Sequence, residues 1–139
     1  MCGPGIPRPS NGGRLAVLFP PSPSASTPPS SSLFLYRVPS NRTKAVLRFD
    51  DDNSPGFIRG CRSIGVRIER YGVRTDPTAY TPPMHSFSNI NPRRTGPASE
   101  LEFDLPHLDL DVSDSGIVGR QITVLGDDRE LGMGIVGYN

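Results

Sequence analysis

The segment Glu100–Pro106 reads ELEFDLP, with apolar and acidic residues alternating at every position until the proline ends the run. Successive side chains of a β-strand point to opposite faces, so this pattern predicts a strand with one buried face and one charged face. The same alternation recurs over Ile64–Ile68, where Gly65 and Arg67 separate three β-branched residues. These two segments indicate a fold built from half-buried strands.

Five further strands are predicted between turn-rich segments, and they are Leu33–Val38, Ala45–Phe49, Leu108–Val112, Gln121–Leu125 and Leu131–Tyr138. The first two flank a short turn and predict a hairpin. Thr75–Pro97 holds five prolines with little periodicity, and we expect a long loop there. No segment has a helical pattern. Seven or eight short strands predict an all-β fold, an antiparallel β-sandwich or a jelly-roll-like barrel.

Residues 1–32 differ from the rest of the chain, since they hold half of its 16 prolines and the run PPSPSASTPPSSS. Such a composition buries little apolar surface, which predicts an extended or disordered Pro/Ser-rich arm over 1–32 and a β-sandwich domain over 33–139. The arm contains one apolar island with Leu15, Val17, Leu18 and Phe19. We expect these side chains to bind a partner, by adding a strand to their own sheet or to a neighbour's.

Charge is divided along the chain, although the net charge is only +1. Residues 1–99 carry a net charge of +8 and residues 100–139 a net charge of −7. The two halves either neutralise each other within one fold or allow copies to associate. The predicted basic face consists of Arg62, Arg67, Arg70 and Arg74, which we expect to lie against acids within Glu100–Asp111. The low net charge and sparse aromatic residues argue against nucleic-acid binding.

Motifs for catalysis are missing from the sequence. It has no G-x-S-x-G and no C-x-x-C, and His85 and His107 have no partner at metal-ligand spacing. Gly132–Gly137 matches G-x-G-x-x-G, but the dinucleotide fingerprint requires a following helix, and none is predicted. We therefore expect no enzyme activity, no cofactor and no metal, while Asp50–Asn53 leaves a surface calcium loop open. No export signal and no apolar run long enough to span a membrane are visible.

Two resemblances bear on function. The tail Leu125–Tyr138 resembles small β-sandwich accessory domains of bacterial glycosyltransferases and surface-polysaccharide proteins, through Asp127 or Asp128 followed by Arg129, Leu131 and Gly132. That resemblance implies a carbohydrate-binding module. The composition of the arm resembles that of the extended arms of virion structural proteins, which implies contacts between subunits.

These observations predict a non-catalytic structural or assembly protein, a virion component from a phage or virus capsid or tail, whose arm contacts other protein subunits. The alternative is a carbohydrate-binding accessory module of a bacterial surface or glycan-processing protein. The expected location is the virion, with the cytoplasm or the cell surface as alternatives, and no membrane partner is expected.

Overall fold

The computed structural model describes residues 13–20, 30–39, 41–49, 61–70, 82–94, 100–127 and 129–138. Eight strands occupy these ranges: β1 (Arg14–Leu18), β2 (Ser31–Val38), β3 (Arg42–Phe49), β4 (Ile64–Ile68), β5 (His85–Ile90), β6 (Glu100–Pro106), β7 (Gln121–Gly126) and β8 (Arg129–Tyr138). All neighbouring strands pair antiparallel, and no helix occurs in the described part of the chain. The all-β, antiparallel prediction is confirmed.

The strands form one sheet in the order β5-β4-β7-β8-β1-β2-β3-β6, which curls until its two end strands approach each other. Arg93, just after β5, donates its backbone N–H to the carbonyl of Glu102 on β6 at 2.6 Å. In return, the Glu102 N–H donates to the Arg93 carbonyl at 2.9 Å. This pair of bonds joins the two edges, so the sheet becomes a nearly closed, barrel-like sandwich.

Strand β1 lies in the middle of the sheet, which corrects the boundary predicted at residue 32. Arg14 pairs with Leu35 of β2 on one side and with Tyr138 of β8 on the other. Strand β2 itself begins at Ser31. The sequence predicts that the apolar island adds a strand either to its own sheet or to a neighbour's sheet, and in the structure it forms a strand of its own sheet. The remaining predictions for the arm concern residues 1–12 and 21–29, outside the described ranges.

The core fills the space enclosed by the sheet, and every strand except β5 contributes fully buried side chains. The largest of them include Leu18, Leu33, Leu47, Ile64, Leu101 and Phe103. The predicted strand at Leu108–Val112 is instead an irregular segment. Its Leu108 and Leu110 side chains are buried, and the Leu108 N–H donates to Thr43 Oγ1 at 3.1 Å. This segment covers the end of the barrel where β1 and β3 begin, because the Leu110 carbonyl accepts a hydrogen bond from the Arg14 side chain.

Strand β5 lies within the stretch predicted to be a loop, and that part of the prediction is wrong. Its sequence HSFSNI places Phe87 and Ile90 against the core, while Ser86 and Ser88 are exposed. Phe87 and Ile90 are three positions apart, so the sequence lacks the period-two alternation that would predict a strand. Asn89 adopts a positive φ of 57°, and the pairing with β4 is irregular between Ile64 and Val66.

Strands β1 and β8 approach each other unusually closely because β8 carries glycines. A Cβ added to Gly134 would overlap the carbonyl oxygen of Val17, and one added to Gly132 would lie 2.9 Å from the Leu18 Cβ. Backbone of a neighbouring strand thus occupies the space that side chains at these positions would need. The glycines therefore allow β1 to seat against β8.

We expect Gly134→Ala to lower the free energy of unfolding by about 2–3 kcal/mol, because the methyl group would push β1 away from β8. Gly137→Ala is the matched control, since a Cβ there meets nothing nearer than the Leu15 carbonyl oxygen at 3.8 Å. It should change stability by less than about 0.5 kcal/mol. Urea unfolding followed by circular dichroism measures both. Equal losses in the two variants would contradict the close approach at Gly134.

Candidate protein-binding face

The outer side of β1 and β8 carries a continuous apolar surface. Leu15 lies opposite Gly137, and Phe19 is bridged to Met133 by two backbone hydrogen bonds of 2.9 and 3.0 Å. Between these rows lie the outward side chains of Val17 and Ile135. We call the set Leu15, Val17, Phe19, Met133, Ile135 and Gly137 the apolar face.

The apolar face is exposed although its backbone is central to the sheet. The exposed fractions are 45% for Val17, 61% for Phe19, 36% for Met133 and 43% for Ile135. A frayed edge does not explain this exposure, because β1 is paired on both sides. The side chains that alternate with them, Ala16, Leu18 and Val136, point inward and are buried.

On β7 and on the Ser32–Tyr36 stretch of β2, no outward position holds a charged side chain, although Arg37 is exposed near the end of β2. Their outward positions hold Gln121, Thr123 and Leu125 on β7 and Ser32, Phe34 and Tyr36 on β2. Charged side chains gather instead on the outer side of β3, β4 and β6, where they are Lys44, Arg48, Arg67, Glu100, Glu102 and Asp104. The outer surface of the barrel therefore has a charged side and, around the apolar face, an uncharged side whose charged residues Arg37, Arg129 and Glu130 lie at strand ends. Arg48 marks the boundary, with its guanidinium 5.1 Å from the Phe34 ring centroid.

The charged side neutralises itself within the chain. Lys44 pairs with Glu102, Arg48 Nε donates to Glu100 at 2.8 Å, and Arg93 binds both oxygens of Asp104 at 2.8 and 3.1 Å. These basic partners come from β3 and from the segment after β5, because those elements flank β6. The acids of β6 thus find partners among residues other than the predicted Arg62, Arg67 and Arg70.

The predicted basic face does not form a single surface. Arg62 and Arg70 lie beyond opposite ends of β4, and Arg67 pairs with Glu69 at 2.7 Å. At Arg62, the backbone N–H donates to Asp127 Oδ1, and at Arg70 the backbone carbonyl accepts from Arg120. Arg74 and Asp50–Asn53 lie outside the described residues.

The residues predicted to bind a partner from the arm divide between the two sides of β1. Leu15, Val17 and Phe19 point outward, whereas Leu18 is fully buried in the core. Met133 and Ile135, which complete the face from β8, were not among the predicted residues. The sequence feature that could have identified Met133 and Ile135 is that β8 has apolar residues on both of its sides, whereas apolar and acidic residues alternate strictly along β6.

Other chemistry-bearing groups serve the fold. Burial raises the pKa of the Cys61 thiol, and the nearby Asp127 carboxylate raises it further. The His85 ring stacks on Phe87 at 5.8 Å, and burial, followed by the charge of Arg120, lowers its pKa. Asp109 accepts hydrogen bonds from the side chains of Ser115 and Ser113 and from the Asp111 N–H, which together hold its pKa low.

The comparisons with known proteins concern the fold. No protein-family model and no curated protein sequence matches the chain. Among solved structures, a point mutant of Candida albicans superoxide dismutase 5 is similar, with a TM-score of 0.47 and 14% identity over 91% of each chain. The Cu(II) form of that protein aligns with a TM-score of 0.46 and 10% identity, over 91% of this chain and 92% of the other.

These matches correct two predictions from the sequence. Both similar structures are those of a superoxide dismutase, which contradicts the predicted virion component and its alternative, a carbohydrate-binding module, and neither prediction is carried further. The same two structures contradict the prediction that the chain is not an enzyme, and that prediction is also not carried further. The likeness itself assigns no chemistry to this chain.

The described residues do not fit a copper centre. Cu(II) in proteins takes nitrogen and oxygen ligands, most often imidazoles. Across the described ranges, no three His, Cys, Asp or Glu side chains come together in a way that could hold a metal ion.

In the same ranges, no helix has the length and hydropathy that a membrane span requires.

The Arg93–Asp104 pair reinforces the seam of the barrel, and its contribution should depend on pH. The hydrogen bonds from Arg93, with its charge, hold the pKa of Asp104 below the usual value. A carboxylate whose pKa is lower in the folded than in the unfolded state stabilises the fold at pH values above its unfolded pKa, which is about 3.9 for Asp. This stabilisation is lost as the pH falls through the pKa of the folded state. Because both side chains are partly exposed, we expect Asp104→Asn to cost at most about 1 kcal/mol at neutral pH, and this cost should disappear as the pH falls through the folded pKa of Asp104.

Guanidinium unfolding at neutral pH and at a pH low enough to protonate Asp104 in the folded protein measures this difference. Asp114→Asn is the matched control, because Asp114 is an exposed acid on the segment after β6, away from the seam. It should have little effect at either pH. An Asp104→Asn cost that persisted unchanged at the acidic pH would contradict a role for the ionised carboxylate.

Proposed function

We propose that the chain is a protein-binding β-barrel that docks the apolar face onto another protein surface. The observation that carries the proposal is the exposure of Val17, Phe19, Met133 and Ile135 together on an uncharged part of the barrel. Scattered apolar residues are ordinary on protein surfaces, but a contiguous apolar patch with a polar surround is typical of an interaction site.

The composition of the apolar face supports a protein partner. Aromatic residues and methionine are enriched at the centres of protein interfaces, and charged residues are depleted there. Phe19 and Met133 form one end of the face, and the half-buried polar side chains of Ser32 and Gln121 contribute to a surrounding rim. An apolar centre with a polar rim is the usual anatomy of such a site.

The rigidity of the apolar face also supports the proposal. Its residues stand on central strands, and β1 is fixed against β8 by the close approach at Gly132 and Gly134. A preorganised surface loses little conformational freedom on binding, so more of the burial free energy appears as affinity.

Photo-crosslinking in cells that express the chain tests this function. With p-benzoylphenylalanine in place of Phe19, we expect a discrete protein adduct, because the side chain is 61% exposed at one end of the face. Ile135→Glu in the same chain should abolish the adduct, since a carboxylate at the centre of the face would be buried without a partner. The matched control places the photoreactive residue at Val112, which is 64% exposed but lies in the segment after β6.

Adducts that form equally from positions 19 and 112 would contradict the proposal, because random collisions would then explain both. The proposal also fails if position 19 gives no adduct, or if its adduct survives Ile135→Glu.

A further inference from the structure

We infer that the partner of the apolar face is a second copy of this chain, docked about a two-fold axis through the Val17–Ile135 row. This inference rests on the proposed function and names the occupant of that same site. It is based on two features of the apolar face: the two ends of the face have complementary shapes, and no charged side chain lies across it.

The apolar face has a raised end and a hollow end. Phe19 and Met133 form one terminal row, with Phe19 as the most exposed side chain of the face. At the other end, Gly137 has no side chain, and a Cβ placed there would meet nothing nearer than 3.8 Å. The face thus presents a large aromatic knob at one end and a notch beside Leu15 at the other.

A two-fold axis brings knob and notch together. Residues two apart on a strand are separated by about 7 Å, so the two terminal rows lie at equal distances from the Val17–Ile135 row. Rotation by half a turn about an axis that lies in the plane of the face, passes through the middle of the Val17–Ile135 row and is inclined by roughly 20° to that row places Phe19 of each copy over Gly137 of the other. In such an isologous contact both copies use the same patch, and both knobs are accommodated at once.

The charge distribution favours a second copy over a charged partner. In a two-fold interface each residue lies near the symmetry-related residues of the same patch, so a charge at the centre would meet a like charge. No outward position of β1 or β7, of Met133–Gly137 on β8 or of Ser32–Tyr36 on β2 carries a charge. Self-pairing of this side of the barrel is therefore free of like-charge repulsion.

The size of the apolar face sets the strength of the dimer. The exposed parts of Val17, Phe19, Met133 and Ile135 amount to roughly 300 Å² of apolar area, given typical side-chain surfaces. A standard interface buries about 800 Å² from each partner, with its polar rim included. The face suits a reversible dimer with a Kd of about 1–100 µM rather than an obligate one.

Sedimentation equilibrium of the purified chain over a range of concentrations tests this inference. We expect a monomer–dimer equilibrium in which Ile135→Glu weakens association at least about 100-fold, because each dimer would bury two unpaired carboxylates. Val112→Glu is the matched control, since it adds a charge at an exposed valine outside the face, and it should leave the Kd within about two-fold. Circular dichroism confirms that each variant is folded.

A knob-and-notch exchange tests the two-fold geometry. Gly137→Phe fills the notch and should weaken the dimer at least about ten-fold, because two aromatic side chains then compete for one space. Adding Phe19→Ala to Gly137→Phe should restore most of the loss, since the knob and the notch have exchanged places. Recovery below about two-fold would overturn this docking.

The outcomes separate this inference from the function on which it rests. A monomer at all concentrations, together with a position-19 adduct to a protein of another mass, overturns self-association and leaves protein binding in place. A monomer with no adduct overturns both. A dimer that Ile135→Glu leaves intact overturns the assignment of the face. Because the interface is uncharged, its Kd should also vary little with salt, and strong weakening by salt would indicate pairing through charged surfaces instead.

Discussion

The pairing of β1 with both of its neighbours is the constraint on which the rest of the barrel depends. On one side of β1 lie β2, β3 and β6, and on the other side lie β8, β7, β4 and β5. Within the described residues, the other backbone link between the two groups is the bridge at Arg93 and Glu102. Without β1, the sheet would open between β2 and β8, and the core side chains Ala16 and Leu18 would be lost with it.

The insertion of β1 also produces the apolar face. A strand that is apolar on both sides buries one side in the core and leaves the other on the surface. Beside β1, β8 has the same character, with Val136 inward and Ile135 outward. The glycines of β8 permit the close contact between the two strands, and Gly137 shapes the hollow end of the face. Fold and binding surface therefore arise from the same pair of strands.

Much of the fold could be predicted from local alternation, because strands with one polar side, such as β4 and β6, indicate directly which side is buried. Non-local features could not be predicted in this way. The basic partners of the β6 acids depend on β3 lying beside β6, which no local pattern encodes. Strand β1 is flanked by prolines, and that composition favours an arm over a central strand. The lack of alternation in β1 and β8 is the one local sequence feature that indicates the apolar face. It locates the face only once the two strands are known to be neighbours, and no local pattern shows that they are.

Native-state amide hydrogen exchange of β1 measures the central claim most directly. If β1 is an integral strand, the amides of Ala16 and Val17 exchange only through opening of the whole barrel, with the same opening free energy as the amides of Leu33 and Val136 in the flanking strands. If β1 were a docked arm, its amides would exchange through a local opening at much lower free energy, while β2 and β8 stayed protected. Equal protection supports the account, and rapid exchange confined to β1 would contradict it.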